Sequence, residues 1–296
     1  VEIHLVDATY ELFRAHFAPR PPVRGRDGQM LGGVAGLVEQ LLALTRDEGA
    51  THVGCATDRV IESFRNDRYP GYKSSAGVPE ALLAQFPIAE AAIDALGFVV
   101  WPMVEFEADD AIASACRQLA ADPAVERIVI CSPDKDLAQL VDGERVVLRD
   151  RRRRITYDAP AVAAKWGVPP SAIVDWLALV GDAADGYPGL PGWGATSAAA
   201  VLARYGSIEA IPARPAEWDV PGLRGAERLA ATLEAHRGEL ETYRELARLR
   251  TDVPITVRAD DLEWRGVPRA RWLAFCETWG LERLAGRPHR WRDADG

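Results

Sequence analysis

Nine carboxylates in five groups stand out in the first two-thirds of this 296-residue sequence: Asp7; Asp58; Glu107, Asp109 and Asp110; Asp134 and Asp136; Asp182 and Asp185. Three of the groups follow short apolar runs, at 3–6, 53–57 and 128–131. Strands that each run into an acid would gather their carboxylates at the carboxyl edge of a parallel sheet, the usual ligand crevice of an open α/β fold. Negative groups so gathered repel one another unless cations neutralise them. The set contains no His or Cys, so it suits Mg²⁺ or Mn²⁺ better than zinc. Chemistry that fits is metal-assisted hydrolysis of a phosphodiester.

Each group also has a structural reading. Glu107, Asp109 and Asp110 open a helical pattern, where acids favour the dipole, but one side chain suffices for a cap. Positions 107 and 110 share a helix face, so two carboxylates can converge there. Asp134 and Asp136 flank Lys135 in a loop after a strand. Asp182 and Asp185 stand at a helix end, where negative charge opposes the dipole and a cation would offset the cost. Five such groups in one chain outweigh the separate structural readings.

Strand signals at 2–7, 52–58, 98–101, 127–131 and 145–149 alternate with helical patterns at 33–46, 79–96 and 108–121. That alternation predicts a parallel α/β sheet. Beyond about residue 158 the pattern turns to helices alone, near 160–166, 171–181, 195–205, 207–211, 225–237 and 239–250. The expected division is an α/β part at 1–165, a helical part at 166–290 and a polar tail at 291–296, with fraying from about residue 287.

Hydrophobic content of 48% and charged content of 27% are those of an ordinary globular protein. No apolar run has the length of a membrane span, and the start carries no signal-peptide pattern. The expectation is a cytoplasmic protein with no membrane partner. Four scattered cysteines without CxxC spacing read as buried thiols rather than a disulfide or zinc framework. A net charge of −9 counts against a nucleic-acid partner. Bound divalent cations would offset part of it, and basic residues do cluster: Arg14, Arg20, Arg24 and Arg26, then Arg65, Arg68 and Lys73. The run from Arg149 to Arg154 reads as a solvated hairpin tip. Arg65 and Lys73 could hold a scissile phosphate while Tyr72 stacks a base. Residues 69–77 contain few aliphatic side chains, which predicts a segment that orders only on DNA. Gly189, Gly192 and Gly194 precede the helix that begins Ala195-Thr196-Ser197, and such a turn lets a backbone approach a phosphate.

The order Leu5-Val6-Asp7, Asp58, Phe64-Arg65, Tyr72-Lys73, Glu107-Ala108-Asp109-Asp110, Asp134-Lys135-Asp136-Leu137, Gly181-Asp182 with Asp185, and Gly189 with Gly192 and Gly194 resembles the bacterial 5′→3′ exonuclease and flap endonuclease family. Its best-known member is the N-terminal domain of DNA polymerase I. The resemblance runs from about residue 2 to 256. With no polymerase region in the sequence, a free-standing member is the expectation. The resemblance implies an α/β fold: a parallel-sheet, PIN-like 5′-nuclease core with a helical arch, plus a C-terminal helix-three-turn-helix (helix-hairpin-helix) domain. It implies a first metal position formed or buttressed by Glu107, Asp109, Asp110, Asp134 and Asp136, and a second held mainly by Asp182 and Asp185. Asp7 and Asp58 would assist through ligands or waters. Arg14, Arg65 and Lys73 would be catalytic. Tyr72, Gly189, Gly192, Gly194, Thr196 and Ser197 would contact DNA, with K⁺ a further candidate at the hairpin.

Four positions depart from the family pattern. Ala8 replaces Gly after the first acid, and the segment after Lys73 lacks a basic residue common in the arch. Gly186 stands where Asn is common, and no lysine follows Gly194. The expected partners are DNA with 5′ ends, flaps or nicks, with RNA in RNA–DNA hybrids as a further candidate, acted on by a monomer in replication and repair. Two rivals are a PIN-like ribonuclease, against which the 189–194 hairpin counts, and a catalytically weak structure-specific DNA-binding protein, whose mark would be a lost acid.

Overall fold

The computed structural model describes residues 1–292. In chain order it begins with β1 (Glu2–Asp7), α1 (Ala8–Phe17), α2 (Gly32–Asp47) and β2 (His52–Asp58). Next come α3 (Phe64–Arg68), α4 (Glu80–Leu83), α5 (Phe86–Ala95), β3 (Val99–Met103), α6 (Ala108–Ala120) and β4 (Arg127–Cys131). Then follow β5 (Val146–Asp150), β6 (Ile155–Tyr157), α7 (Ala159–Trp166), α8 (Ile173–Val180) and α9 (Ala195–Tyr205). The last elements are α10 (Ala226–Ala235), α11 (Arg237–Ala247), β7 (Val267–Pro268), α12 (Arg269–Trp279), α13 (Glu282–Ala285) and β8 (Trp291–Arg292).

Two compact units emerge, and neither is contiguous in sequence. The first comprises Val1–Ile61, Ser75–Ser132 and the described part of 251–296; the second comprises Glu62–Ser74 and Pro133–Arg250.

The first unit is built on parallel strands in the order β3-β2-β1-β4. Every residue of β1 after Glu2 is buried, as expected of a central parallel strand covered on both faces. Leu5 pairs with Gly54 on one side and Ile130 on the other. Helix α6 turns Ala111, Ile112, Ala115, Cys116 and Leu119 inward, the spacing of an amphipathic helix. The last part of the chain returns to this unit: Val253 N–H donates to Ser114 Oγ at 3.0 Å, and Trp264 stacks on Phe98 at 5.5 Å. The expected frayed end is corrected here for its described residues. Trp291 pairs with Val267, and Val267 N–H donates to the Arg290 carbonyl at 3.0 Å. Residues 293–296 lie outside the described residues.

The second unit carries the helices α7 to α11 and the antiparallel pair β5–β6, with Leu148 opposite Tyr157. The pattern of strands alternating with helices did not foresee β6, which is only three residues long. The Arg154 residue in the connecting turn has a positive φ of 58°. Asp158 caps α7 by accepting from Ala161 N–H at 2.9 Å, and Gly167 closes it at φ 76°, the usual start and stop chemistry. Among the described residues no helix is long and apolar enough to cross a membrane.

The region expected to hold a helical arch contains only short helices, α3 and α4. The helix expected over 79–96 is broken between α4 and α5. There Gln85 turns its side chain to the Val34 N–H (3.2 Å) and the Ala81 carbonyl (2.8 Å).

Candidate metal centre and nucleic-acid interface

In the first unit, the acids sit where strands end and helices begin. Asp7 ends β1, and its carboxylate accepts from Tyr10 N–H at 2.8 Å and from the Ser132 hydroxyl at 2.9 Å. Asp58 ends β2; its N–H donates to Thr9 Oγ1 at 2.8 Å, and its Oδ1 accepts from Ala108 N–H at 2.6 Å. That last bond ties Asp58 to the first turn of α6. Glu107 N–H donates to Asp110 Oδ2 at 3.0 Å, and both residues are buried. Asp109 is half-buried on the same turn. Five of the nine acids thus share one end of the parallel layer. Arg14 ion-pairs with Glu11 on its own helix, Nε to Oε2 at 3.0 Å.

In the second unit, Asp136, Asp182 and Asp185 each bring one carboxylate oxygen to within 4.8 Å of the others. Asp136 opens a short 3₁₀ turn, and its N–H donates to exposed Asp134 at 3.0 Å. Asp182 follows α8 and accepts from Ala184 N–H at 3.0 Å. Its backbone pairs both ways with Tyr187, at 2.9 and 3.1 Å. This hairpin needs glycine. Gly181 has φ 82°, and a Cβ there would lie 2.3 Å from the Pro188 carbonyl carbon; Gly189, at φ 67°, would meet Gly181 N at 2.3 Å. Two glycines packed backbone to backbone bring Asp182 and Asp185 around to Asp136.

Burial first, then the charges of Asp134 and Asp185, hold the Asp136 carboxyl well above the usual carboxylate range. Two lysines face the cluster. The Lys135 ammonium hydrogen-bonds Asp182 and lies 3.7 Å from Asp136, while Lys73 Nζ lies 3.4 Å from Asp185 Oδ1. Burial lowers the Lys135 pKa, but Asp136, Asp182 and Asp134 outweigh it and the net direction is up. Even so, Asp136 Oδ1 is buried without a hydrogen-bond partner. A buried carboxyl oxygen whose nearest cation, the Lys135 ammonium at 3.7 Å, lies beyond hydrogen-bond reach is poorly satisfied. An all-oxygen donor set with an orphaned acceptor fits a hard divalent cation.

Lys73 is anchored by its backbone: its N–H donates to the Asp185 carbonyl at 2.9 Å, and Asn66 Nδ2 donates to its carbonyl at 3.0 Å. Gly186 sits against the Gly71 carbonyl, where a Cβ would come within 2.2 Å. An Asn side chain at 186 would not fit this approach, which accounts for that departure from the family pattern.

Three expectations are corrected. Tyr72 is 4% exposed, so its ring offers no open stacking face. Arg65 is 1% exposed, and its guanidinium donates to the carbonyls of Leu246 (2.8 Å) and Arg248 (3.0 Å). Residues 69–73, expected to be unordered without DNA, are tied down by Asn66, by Lys73 and by Tyr69 packed edge-on to Tyr243 at 6.0 Å. Counting aliphatic side chains missed what two tyrosines can bury.

Of the hairpin glycines, Gly189 is spent on the packing against Gly181. Gly192 is exposed at φ 79°. Gly194 precedes α9 in extended backbone, with open space where a Cβ would go. Ser197 Oγ accepts from Gly194 N–H at 3.0 Å, and Thr196 is exposed. Sequence reasoning missed Arg228, an exposed residue on α10 whose guanidinium would lie 3.7 Å from a Cβ placed on Gly192.

A parallel α/β layer and a helical unit, each with its own group of carboxylates, define a two-part α/β protein with candidate divalent-cation sites. Residues 2–167 match the family described as 5′-3′ exonuclease, N-terminal resolvase-like domain, and residues 168–270 match its C-terminal SAM fold. The chain belongs to the 5′-3′ exonuclease family. It is 34% identical to DNA polymerase I of Rhizobium leguminosarum, across 99% of this chain and 29% of that one. It is 33% identical to DNA polymerase I of Mycobacterium leprae, across 90% and 29%. The chain therefore spans about 29% of the length of these relatives. Among solved structures, it is similar to a bacteriophage T5 flap endonuclease in complex with DNA and metal ions: TM-score 0.65, 18% identity, covering 83% of this chain and 89% of that. A bacteriophage T5 5′-exonuclease with bound zinc matches at TM-score 0.64 and 19% identity, covering 96% and 100%.

Proposed function

We propose that this chain is a divalent-cation-dependent 5′ nuclease that hydrolyses DNA phosphodiesters, as a 5′→3′ exonuclease and 5′-flap endonuclease, in replication and repair. The observation that carries this reading is the trio of Asp136, Asp182 and Asp185 with the orphaned Asp136 Oδ1. In the proposed site, Mg²⁺ or Mn²⁺ is held by these three acids with Asp134 beside them. Asp7, Asp58, Glu107, Asp109 and Asp110 serve further cation positions as ligands or through water. Such ions supply an activated water and stabilise the leaving oxygen.

The chain's own residues then orient and neutralise. Lys73, beside Asp185, is placed to offset charge developing on the phosphate. Arg65 acts at a distance, holding residues 62–74 to the end of α11, and Arg14 has Glu11 as its partner. The exposed turn at 192–194, with Thr196, Ser197 and the Arg228 guanidinium, would take a duplex phosphate without reading bases.

The test is a labelled 5′ flap incubated with Mn²⁺ or with EDTA, using wild type and Asp136→Asn. Cleavage by wild type with Mn²⁺ alone is expected. Equal cutting in EDTA, or by the variant, would overturn the reading. Preference for a single-stranded RNA over the flap would instead favour a ribonuclease.

A further inference from the structure

Lys135 stands between Asp134 and Asp136 in sequence, and its ammonium turns to a third acid. It hydrogen-bonds Asp182 Oδ2 and lies 3.7 Å from Asp136 Oδ1. On the other side of the trio, Lys73 Nζ lies 3.4 Å from Asp185 Oδ1. Each of the three acids thus has an ammonium beside it, but not equally. Asp136 Oδ1 is too far from Lys135 for a hydrogen bond and has no partner. One ammonium with a single short contact does not satisfy a set of oxygens that all lie within 4.8 Å of one another. A hard divalent cation binds several such oxygens at once, at about 2–2.6 Å.

The ammonium and a cation compete for one place. Both need the Asp182 carboxylate, and two positive charges a few ångströms apart repel. Moving the lysine costs little. Its backbone is fixed at the head of the 3₁₀ turn Asp136–Leu140, with its carbonyl accepting from Ala138 N–H at 3.0 Å. Its side chain is 30% exposed, so the ammonium can swing into water on its flexible stem while the turn stays as it is.

We propose that Lys135 is the resident counter-ion of the Asp136, Asp182 and Asp185 centre, displaced when a divalent cation enters, and that it thereby sets the affinity of the centre for that cation. This role presupposes the metal-centre reading given under the proposed function. Without metal the lysine steadies buried carboxylates; with metal it is a competitor. A ligand that must wait for a minor, competent state binds more weakly in proportion to that state's population, so removing the competitor strengthens binding even as it weakens the metal-free fold.

Lys135→Met keeps an unbranched stem and removes the charge, and Lys135→Arg keeps the charge. The experiment is calorimetric titration of metal-free protein with Mn²⁺ for wild type, K135M, K135R and D136N, alongside the melting temperature of each in EDTA and in Mn²⁺. The expected result is that K135M binds Mn²⁺ about tenfold more tightly than wild type while melting lower in EDTA, and that Mn²⁺ raises its melting temperature by more. K135R should bind Mn²⁺ no more tightly than wild type. Lys135→Gln, which still donates to Asp182, replaces K135M with the same signs expected if K135M does not fold in EDTA. Mn²⁺ affinity in the uncharged variant equal to or below that of wild type would overturn the inference and leave the metal centre standing. An unchanged melting temperature in EDTA would also overturn it, because a resident counter-ion must be missed. If wild type and D136N bind Mn²⁺ alike, or neither binds it, the metal-centre reading itself fails and this role falls with it.

Discussion

At the scale of single residues, Asp136 and Lys73 carry opposite burdens. Asp136 is buried, its carboxyl is held protonation-prone by burial and by Asp134 and Asp185, and one oxygen lacks a hydrogen-bond partner. An amide of the same shape removes the charge and can donate. Asp136→Asn is therefore expected to abolish flap cleavage while stabilising the metal-free protein by on the order of 1 kcal/mol, a rise of a few degrees in Tm. A falling Tm would show that the carboxylate is structural. Lys73 is half-exposed and lies 3.4 Å from Asp185. Its charge is of most use once the phosphate gains negative charge in the transition state. Lys73→Ala should slow single-turnover cleavage at saturating enzyme by roughly 100-fold and weaken flap binding far less. Full recovery of rate at saturation would make Lys73 a binding residue only.

At the scale of elements, what holds the acids is as specific as the acids. The Gly181–Gly189 contact leaves no room for a Cβ on either residue, and both have positive φ. Gly189→Ala should destabilise by more than about 2 kcal/mol and weaken Mn²⁺ binding with it. Gly194→Ala, in open space with φ −123°, should leave Tm unchanged and test the phosphate contact alone, by salt-titrated duplex binding. Gly192 is a poorer probe because any side chain at its φ of 79° is strained. Arg65 makes a parallel case. With its guanidinium on the Leu246 and Arg248 carbonyls, Arg65→Ala should cost about 2–4 kcal/mol of stability, seen as a Tm loss of several degrees. A variant with unchanged Tm but a slower chemical step would restore the phosphate role that its sequence position suggests.

The strands were legible because each is a short apolar run that ends on an acid, a local signal that survives into the fold at Asp7 and Asp58. The short elements were not. Strands β6 and β7 and helices α3 and α4 span two to five residues, too few for a period to register. The acid trio was legible as residue types and spacing, but its closeness depends on two glycines whose meaning is set by their contact with each other. Tyr72 and Arg65 read as exposed functional groups because a loop of charged, aromatic and glycine residues carries no sign of what covers it. Arg65 is covered by the end of α11, and the chain next to Tyr72 is tied to Asp185 through the Lys73 N–H, both partners more than a hundred residues away in sequence.

At the scale of the whole molecule, the question is how a chain of net charge −9 meets a polyanion. Nine acids lie in two groups, one at the carboxyl end of the parallel layer and one in the second unit, and each group opposes a phosphate by Coulomb repulsion. Two lysines offset part of the charge on the second group; bound cations would offset more. Affinity for DNA should therefore depend on divalent cations apart from any role in catalysis. With Mn²⁺ at about 100 times its dissociation constant, the protein should gain roughly 2.7 kcal/mol of stability by mass action and bind a 5′ flap more tightly than in EDTA. Asp136→Asn and Asp182→Asn should bind the flap in EDTA better than wild type does, since each deletes one repelling charge, and yet should not cut it. Fluorescence anisotropy on a labelled flap, at fixed low salt because the contact is electrostatic, measures both effects. If EDTA leaves the affinity of wild type unchanged and the Asn variants gain nothing, the acids lie outside the path of the phosphate, and the metal centre has no part in holding the substrate.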